Sequence, residues 1–470
     1  MRAWEQATWA AGTTPGAVIE QVGIRLARRL RALSRPGDRL LLLAGRGHNG
    51  DDVRAALPHL AGREVRLLNL TEPAVALPEL RAALAEAPAW VVDGLFGIGL
   101  NRPLAPDWIA LIETLNAAGR PILAVDVPSG LNADTGENFG AVVNATLTLT
   151  VGAPKNGLLA ATAWESVGRL EVEPDIGLID SPGPGDWQWT LPRDFDDYPP
   201  PRPVASHKGT FGHLGIIAGS EGFHGAAVLA ARGAQRAQPG LITLLTTPTA
   251  YVPVASQLQS VMVRPWRPEV TWPDSITALV VGPGLAGPDV PSAMRETVIR
   301  LWQEAPEPVI ADASALDWIK DLAGPAAAVR VITPHPGEAA RLLGLNAKAV
   351  QSDRPAAVRT LSARNGNAWV VLKGHQSLVG QREGALTVNP SGNAGLAQGG
   401  SGDLLAGLMG GLLAQPALQA DPGRAVRYAV WRHGAAADGL AATRPGWTIE
   451  ELAASLGETV GGGSCQTHDG

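Results

Sequence analysis

Cysteine is almost missing: Cys465 is the only one in 470 residues, so neither an internal disulfide framework nor a cysteine-based zinc site can form. Neither charge is in excess, with 38 Lys+Arg against 44 Asp+Glu and a net charge of −6. That balance gives no basic footprint for nucleic acid and no acidic solvating tail. Long hydrophobic runs are absent too, because apolar stretches break at Gly or Pro before reaching membrane-spanning length. The opening MRAWEQATWAAGTTPG carries charge and lacks the apolar core of a secretory leader. A cytoplasmic protein of small-molecule ligands is expected, with no nucleic acid and no membrane. Lysine is scarce, five against thirty-three arginines. Each lysine is therefore worth testing for a task that the planar guanidinium fork performs poorly.

What the chain does have is 45% hydrophobic residues, enough for substantial cores, together with 56 glycines and 38 prolines that imply many tight turns. Its length predicts two or more domains. Arg39–Ala44 (RLLLLA) is a continuous apolar run, the pattern of a strand buried on both faces. Val65–Leu70, Trp90–Val92, Pro121–Val125 and Leu147–Val151 are similar, with helix-compatible stretches such as Leu77–Ala87 between them. This spacing predicts parallel βα units with ligands at the strand C-terminal ends. From about Ile176 to Ser206 the period fails in a segment rich in Pro, Asp and Gly. Alternation resumes at His213–Ala218, Leu241–Thr246, Ala278–Val281, Val309–Ala311, Val329–Ile332 and Trp369–Leu372, with helical stretches at Ala226–Ala237 and Glu338–Leu343. The expectation is an α/β chain with domains at 1–195 and 196–462 and a flexible tail at 463–470.

Three glycine-rich segments in the first half follow strands and carry polar groups: Gly45–Asp52, Val92–Leu100 and Ala124–Gly136. One such turn is as compatible with a tight loop as with a ligand site. Three at like ends of one sheet converge on one crevice. These segments, with Gly152–Leu158, Arg2–Glu5 and Ile19–Gly23, resemble the NAD(P)HX epimerase domain of the bifunctional NAD(P)H-hydrate repair enzymes over about residues 1–175. The most specific part is VDVPSGLNADTG. The resemblance implies a Rossmann-like α/β/α sandwich that interconverts the R and S epimers at the hydrated nicotinamide carbon. It also implies a potassium ion at Asn49, Asp93 and Ser129, and Asp126 facing the hydrated ring as general acid or base. His48, Asn49, Gly50, Asp51 and Asp52, then Gly97, Ile98, Gly99, Leu100, Asn101, Arg102 and Pro103, would bind the hydrated dinucleotide with Asp126. The family loop reads Asn-Asn-Gly-Gly-Asp-Gly, whereas positions 48–53 are His-Asn-Gly-Asp-Asp-Val. Asp51 is thus expected to set a carboxylate where a small residue meets a charged ligand, and Val53 to disfavour a positive φ. Lys155 is expected to line this site.

The second half carries a stronger signal, Asn389–Asp403 followed by the apolar LLAGLMGGLLA. Gly399–Gly402 can present successive N–H groups at a helix start, a hole for a moving phosphoryl group, and Asp403 can take a proton from an attacking hydroxyl. The segment resembles the Gly-Xaa-Gly-Asp signature of the ribokinase-like superfamily, and more closely the ADP/ATP-dependent NAD(P)HX dehydratase domain of the same repair enzymes. Lys208–Gly212, Gly219-Ser220, Gly225-Ala226, Val281–Leu285, Thr333–Glu338 and Leu372–Ser377 stand in the family's order, over about 200–460. The resemblance implies a ribokinase-like α/β domain in which Ala226, Gly284, His335 and Asp403 contact NADHX or NADPHX. Lys373, Gly374, His375, Gln376, Ser377 and Gly402 would hold ADP or ATP, the phosphoryl donor, with magnesium on its phosphates. The family form Asp-Ala-Asp-Ala-Leu is changed here, Ser314 replacing the second acid after Asp312. Family precedent also allows a homo-oligomer. The rival expectation is a kinase of a small hydroxylated metabolite with a non-catalytic N-terminal binding domain.

Overall fold

The computed structural model describes residues 1–458 except 182, 184 and 270–272, so the expected tail at 463–470 lies outside the described residues. The chain forms two compact units, Met1–Pro184 and Gly185–Gly470. No helix among the described residues is long and apolar enough to cross a membrane.

The first unit is built on a six-stranded, all-parallel sheet: β1 (Arg39–Ala44), β2 (Glu64–Asn69), β3 (Trp90–Gly94), β4 (Ile122–Val125), β5 (Leu147–Val151) and β6 (Arg169–Glu173), in the order β2-β1-β3-β4-β5-β6. Alternate residues of β1 serve opposite cores. Leu41 and Leu43 join one cluster, while Leu40, Leu42 and Ala44 join the other. Hence the run is apolar throughout rather than alternating. The order reverses between β1 and β3, and a crevice opens at that switch point beyond the strand C-terminal ends. Helices α1 (Arg2–Ala10) and α2 (Pro15–Leu33) precede the sheet, and α3 (His48–Ala56) follows β1.

The second unit has a ten-stranded sheet. Its strands are β7 (Trp187–Trp189), β8 (His213–Ile217), β9 (Leu241–Thr246), β10 (Met262–Pro265), β11 (Ala278–Val281), β12 (Val309–Ala311), β13 (Arg330–Ile332), β14 (Trp369–Leu372), β15 (Ser377–Gly380) and β16 (Leu386–Asn389). They are ordered β10-β9-β8-β11-β12-β13-β14-β15-β16-β7. Pairing is parallel from β10 to β14, and β15 is antiparallel to both of its neighbours. β7 adds in parallel to β16, with Trp187 opposite Leu386. This strand draws the segment from Gly185 into the second unit, so the boundary expected after residue 195 falls eleven residues earlier. Glycine and proline around it hid a three-residue edge strand whose register is set by its partner, not by local period.

The Ser401–Leu413 helix is apolar on all sides and sits inside the second core. It lies against the His224–Ala237 helix at backbone distance: a Cβ on Gly407 would fall 1.8 Å from the Ala230 carbonyl oxygen. Glycine is required there by close approach.

Candidate functional sites

In the first unit a cleft of about 570 Å³ opens at the expected strand ends. α1 and α2 supply one wall, the turn Arg46–Asn49 and the segment Gly97–Gly99 another, and Asp126 lies at its base. Arg2 ties α1 to the second wall by donating to the Ile98 carbonyl oxygen at 2.9 Å.

Asp126 follows β4 in a left-handed conformation, φ +65°, costing about 1–2 kcal/mol for a non-glycine residue. Its Oδ1 is held from three sides: by the Lys155 ammonium, by Thr150 Oγ1 at 3.1 Å and by the Val151 N–H at 3.3 Å. Lys155 also donates to Thr150 Oγ1 at 3.0 Å and to the Val151 carbonyl at 2.8 Å. Both partners of this ion pair are buried. Asp52, buried on α3, lines the same cleft. Burial first, then the nearby Asp126, Asp51 and Glu5 carboxylates, raise its carboxyl well above the ordinary range, with Lys155 acting in the opposite sense.

Behind the cleft, Asp93 is fully buried at the end of β3. Its Oδ2 accepts from the Ser129 N–H at 2.8 Å and its Oδ1 from Ser129 Oγ at 2.6 Å. Burial raises this carboxyl despite these hydrogen bonds. Ser129 Oγ accepts from the Phe96 N–H at 2.9 Å, and Asn49 Nδ2 donates to the Phe96 carbonyl at 2.8 Å. Asn49 Oδ1 is left buried with no partner among the described residues.

His48, Asn49, Asp52, Gly97, Ile98, Gly99 and Asp126 therefore meet at the cleft, whereas Gly50, Asp51, Leu100, Asn101, Arg102 and Pro103 are not part of its lining. Gly50 packs against the Gly45 backbone, and Leu100 against an apolar core cluster. Two local expectations change. Positions 48–53 form the first turns of α3 rather than a loop, so Val53 needs no positive φ. Asp51 pairs with Arg54 at 2.8 Å, one turn along the helix. Arg2 and Glu5 belong to a segment that carried the resemblance, but their place in the cleft lining was not assigned from sequence.

In the second unit the Ser401–Leu413 helix starts at Gly400, φ +93°, with no side-chain cap and with Asp403 in its first turn. Uncapped N–H groups there suit an anion. Lys373, after β14, lies beside this turn: a Cβ on Gly402 would stand 3.0 Å from Lys373 Nζ. Lys373 Nζ is 3.0 Å from Asp312 Oδ1 and 3.9 Å from Glu338 Oε2. Burial opposes the Lys373 ammonium, but Asp312 and Glu338 more than offset that and hold it protonated. Asp312 Oδ1 also accepts from Thr333 Oγ1 at 2.7 Å. Burial, then Asp312, pushes Asp403 up to about 6, Lys373 pulling it down and Glu338 up.

Gly284 faces Ala226, since a Cβ on Gly284 would stand 2.7 Å from Ala226 Cβ, and its carbonyl accepts from Ser220 Oγ at 2.6 Å. His335 caps the Pro336–Leu343 helix, Nδ1 accepting from the Gly337 and Glu338 N–H groups at 3.0 and 3.3 Å. Its Nε2 stands 3.6 Å from Glu338 Oε1. Gly374 and His375 form an exposed turn, and Ser377 Oγ closes it on the Gly374 carbonyl at 3.1 Å. Asp312, Glu338 and Thr333 belong to the same cluster; their motifs were visible in sequence, but their mutual contacts were not. Ser314 starts the Ser314–Trp318 helix.

Residues 214–459 match the family model described as NAD(P)H-hydrate dehydratase, and residues 69–157 the one described as YjeF-related protein N-terminus. The chain is 37% identical to the bifunctional NAD(P)H-hydrate repair enzyme Nnr of Gloeobacter violaceus over 96% of this chain and 95% of that one. To the Escherichia coli enzyme of the same name it is 36% identical, over 86% and 81% of the two chains. The ADP/ATP-dependent NAD(P)H-hydrate dehydratase of Bacillus subtilis, co-crystallised with ATP/Mg2+, superposes with a TM-score of 0.50 at 31% identity, over 55% of this chain and 91% of that one. The chain therefore belongs to the family of bifunctional NAD(P)H-hydrate repair enzymes.

Proposed function

We propose that the first cleft epimerises hydrated NADH and NADPH and that the Asp403 site dehydrates the S epimer at the expense of ADP or ATP. The observation that carries the second half is the convergence of an uncapped glycine helix start, the Lys373 ammonium and a carboxyl raised to about 6. Asp403 takes the proton from the substrate hydroxyl as its oxygen attacks the terminal phosphorus of the donor. The bond to the leaving nucleotide breaks, and the helix amides and Lys373 balance the charge on the moving phosphoryl group. The phosphorylated hydroxyl is a good leaving group. The ring nitrogen's electron pair expels phosphate, and loss of a proton from the adjacent carbon restores the dihydropyridine. Magnesium would arrive with the donor's phosphates and neutralise part of their charge. Among the described residues no group of three or more His, Cys, Asp or Glu side chains could hold a metal ion; magnesium of this kind is commonly held by one or two carboxylates together with the phosphate oxygens of its substrate.

In the first unit Asp126, fixed by Lys155, serves as the base, and Asp52 offers a second carboxyl of raised affinity for its proton. Inverting a hydroxyl-bearing carbon beside the ring nitrogen means breaking its C–O bond and forming it again on the other face. Protonated Asp52 gives its proton to the leaving hydroxyl as the nitrogen's electron pair expels it as water, and ionised Asp126 takes a proton from the water that adds to the opposite face. Potassium suits the donor set behind the cleft, where Asn49 Oδ1, Asp93 and Ser129 are oxygens only, and Asn49 Oδ1 is buried without a protein partner. Bound there it would supply positive charge next to the substrate.

The test is to incubate the whole chain with mixed hydrate epimers and each nucleotide in turn, following reduced-cofactor absorbance. Nucleotide-dependent recovery of both epimers is expected, with Asp403→Asn abolishing it. A stable phosphorylated product in place of reduced cofactor would instead identify a kinase.

A further inference from the structure

The turn Lys373–Ser377 is secured by a residue that no sequence motif marks. Arg354 opens the Arg354–Arg364 helix and is only 5% exposed. One terminal nitrogen of its guanidinium donates to two carbonyls, Leu372 at 3.0 Å and Gln376 at 3.3 Å. These carbonyls bracket residues 373–376. The other terminal nitrogen donates to Gln351 Oε1 at 3.2 Å and would stand 3.1 Å from a Cβ on Gly374. A planar fork fits this two-ended grip better than an ammonium does.

Between the two anchored carbonyls the backbone is unusual. Gly374 has φ +130°, and Gln376, which carries a side chain, has φ +51°. Strain of that kind persists only where surrounding contacts over-determine it. The Gln376 side-chain Nε2 is buried and has no hydrogen-bond partner among the described residues. A buried amide donor without an acceptor is costly, and on this turn the described residues supply no partner for it.

We propose that Arg354 is a positioning residue for the phosphoryl donor, clamping both ends of the Lys373–Ser377 turn so that the Gln376 amide donates to the nucleoside part of the bound nucleotide. The inference rests on the reading of this turn as the nucleotide site. Arg354 itself touches neither nucleotide nor hydrate; its effect passes through the turn. Lys373, on the same turn but facing Asp312 and Gly402, serves the phosphate end.

The experiment measures kcat and KM for ADP or ATP and for the hydrate with the full chain and its Arg354→Lys, Gln376→Ala and Lys373→Met variants. Epimer exchange by the first unit and the thermal midpoint serve as folding controls. Arg354→Lys and Gln376→Ala should each raise the nucleotide KM about tenfold while kcat and the hydrate KM stay within about twofold. Their double variant should be no worse than the poorer single one, since both act through one contact. Unchanged nucleotide KM in Gln376→Ala, or an Arg354→Lys loss confined to kcat, overturns the proposal. Should Lys373→Met also leave nucleotide dependence untouched, the nucleotide-site reading itself falls. Impairment by Lys373→Met alone sinks only the clamp.

Discussion

Lys373 Nζ stands 3.0 Å from Asp312 Oδ1, and it can lie against the helix start only because Gly402 has no side chain, since a Cβ there would lie 3.0 Å from the same nitrogen. The ion pair and the amide pocket thus touch through a glycine. Gly402→Ala should push the ammonium aside by a few tenths of an ångström. About tenfold slower nucleotide-dependent recovery is expected, with thermal stability nearly unchanged because alanine favours a helix. Steady-state rates with an unfolding scan check this; full activity would show that the spacing is immaterial.

Asp403 acts as a base only when ionised, and it lies near 6 in the folded protein. Dehydratase kcat/KM should therefore rise through about pH 6 and level off above it, since that ratio reports the free enzyme. Lys373 lowers the Asp403 value, so Lys373→Met should move the acid limb to higher pH as well as reduce the rate. A limb that stays in place would remove Lys373 from the electrostatics of Asp403.

The same shift has a stability consequence. A carboxyl whose folded value lies above its unfolded value of about 4 destabilises the fold once it must ionise. The cost is absent below about pH 4, grows between about 4 and 6, and is complete above. Asp403→Asn should thus raise the thermal midpoint at pH 8 and leave it unchanged at pH 4, while abolishing dehydration. Equal effects at both pH values would contradict the raised value.

In the first unit the Asp126–Lys155 pair is buried, and removing one partner leaves an uncompensated charge. Lys155→Met should destabilise that unit by about 3–5 kcal/mol. Asp126→Asn with Lys155→Met should recover part of the loss while remaining inactive in epimer exchange. Denaturant unfolding of the set as a double-mutant cycle measures this coupling.

If Asn49 Oδ1 is an ion ligand, exchange of potassium for tetramethylammonium should slow epimerisation in the natural chain by about tenfold or more. Asn49→Ala should be slow in both salts. Independence from the cation in the unsubstituted protein would leave the orphaned oxygen without that explanation.

Much of this was written locally in the chain. β1, β5, β9, β11, β12 and β14 coincide with apolar runs bounded by Gly, Pro or polar residues, because a strand buried on both faces needs no alternation and cannot hide among polar neighbours. The Gly-Ser-Gly-Asp segment likewise announced an open helix start, since few other sequences leave backbone amides free there. β6, β7, β10, β15 and β16 were illegible: unlike the equally short but wholly apolar β11 and β12, they mix polar residues, Gly or Pro into three to five positions, too few to show a period. Positions 48–53 read as a loop from their Gly and Asp, yet tertiary packing of α3 against β1 and β3 made them helix. Above all, chain order could not place Lys155 against Asp126, Asp312 against Lys373, or Arg354 under the turn it grips. Those partners are 29, 61 and roughly twenty residues apart, and their meeting depends on parallel strands bringing separate loops to one end of a sheet. The sequence determined which groups were present and which strands would carry them. Only the folded sheet decided which charges are buried together, because desolvation and pairing are properties of the assembled interior rather than of any one segment.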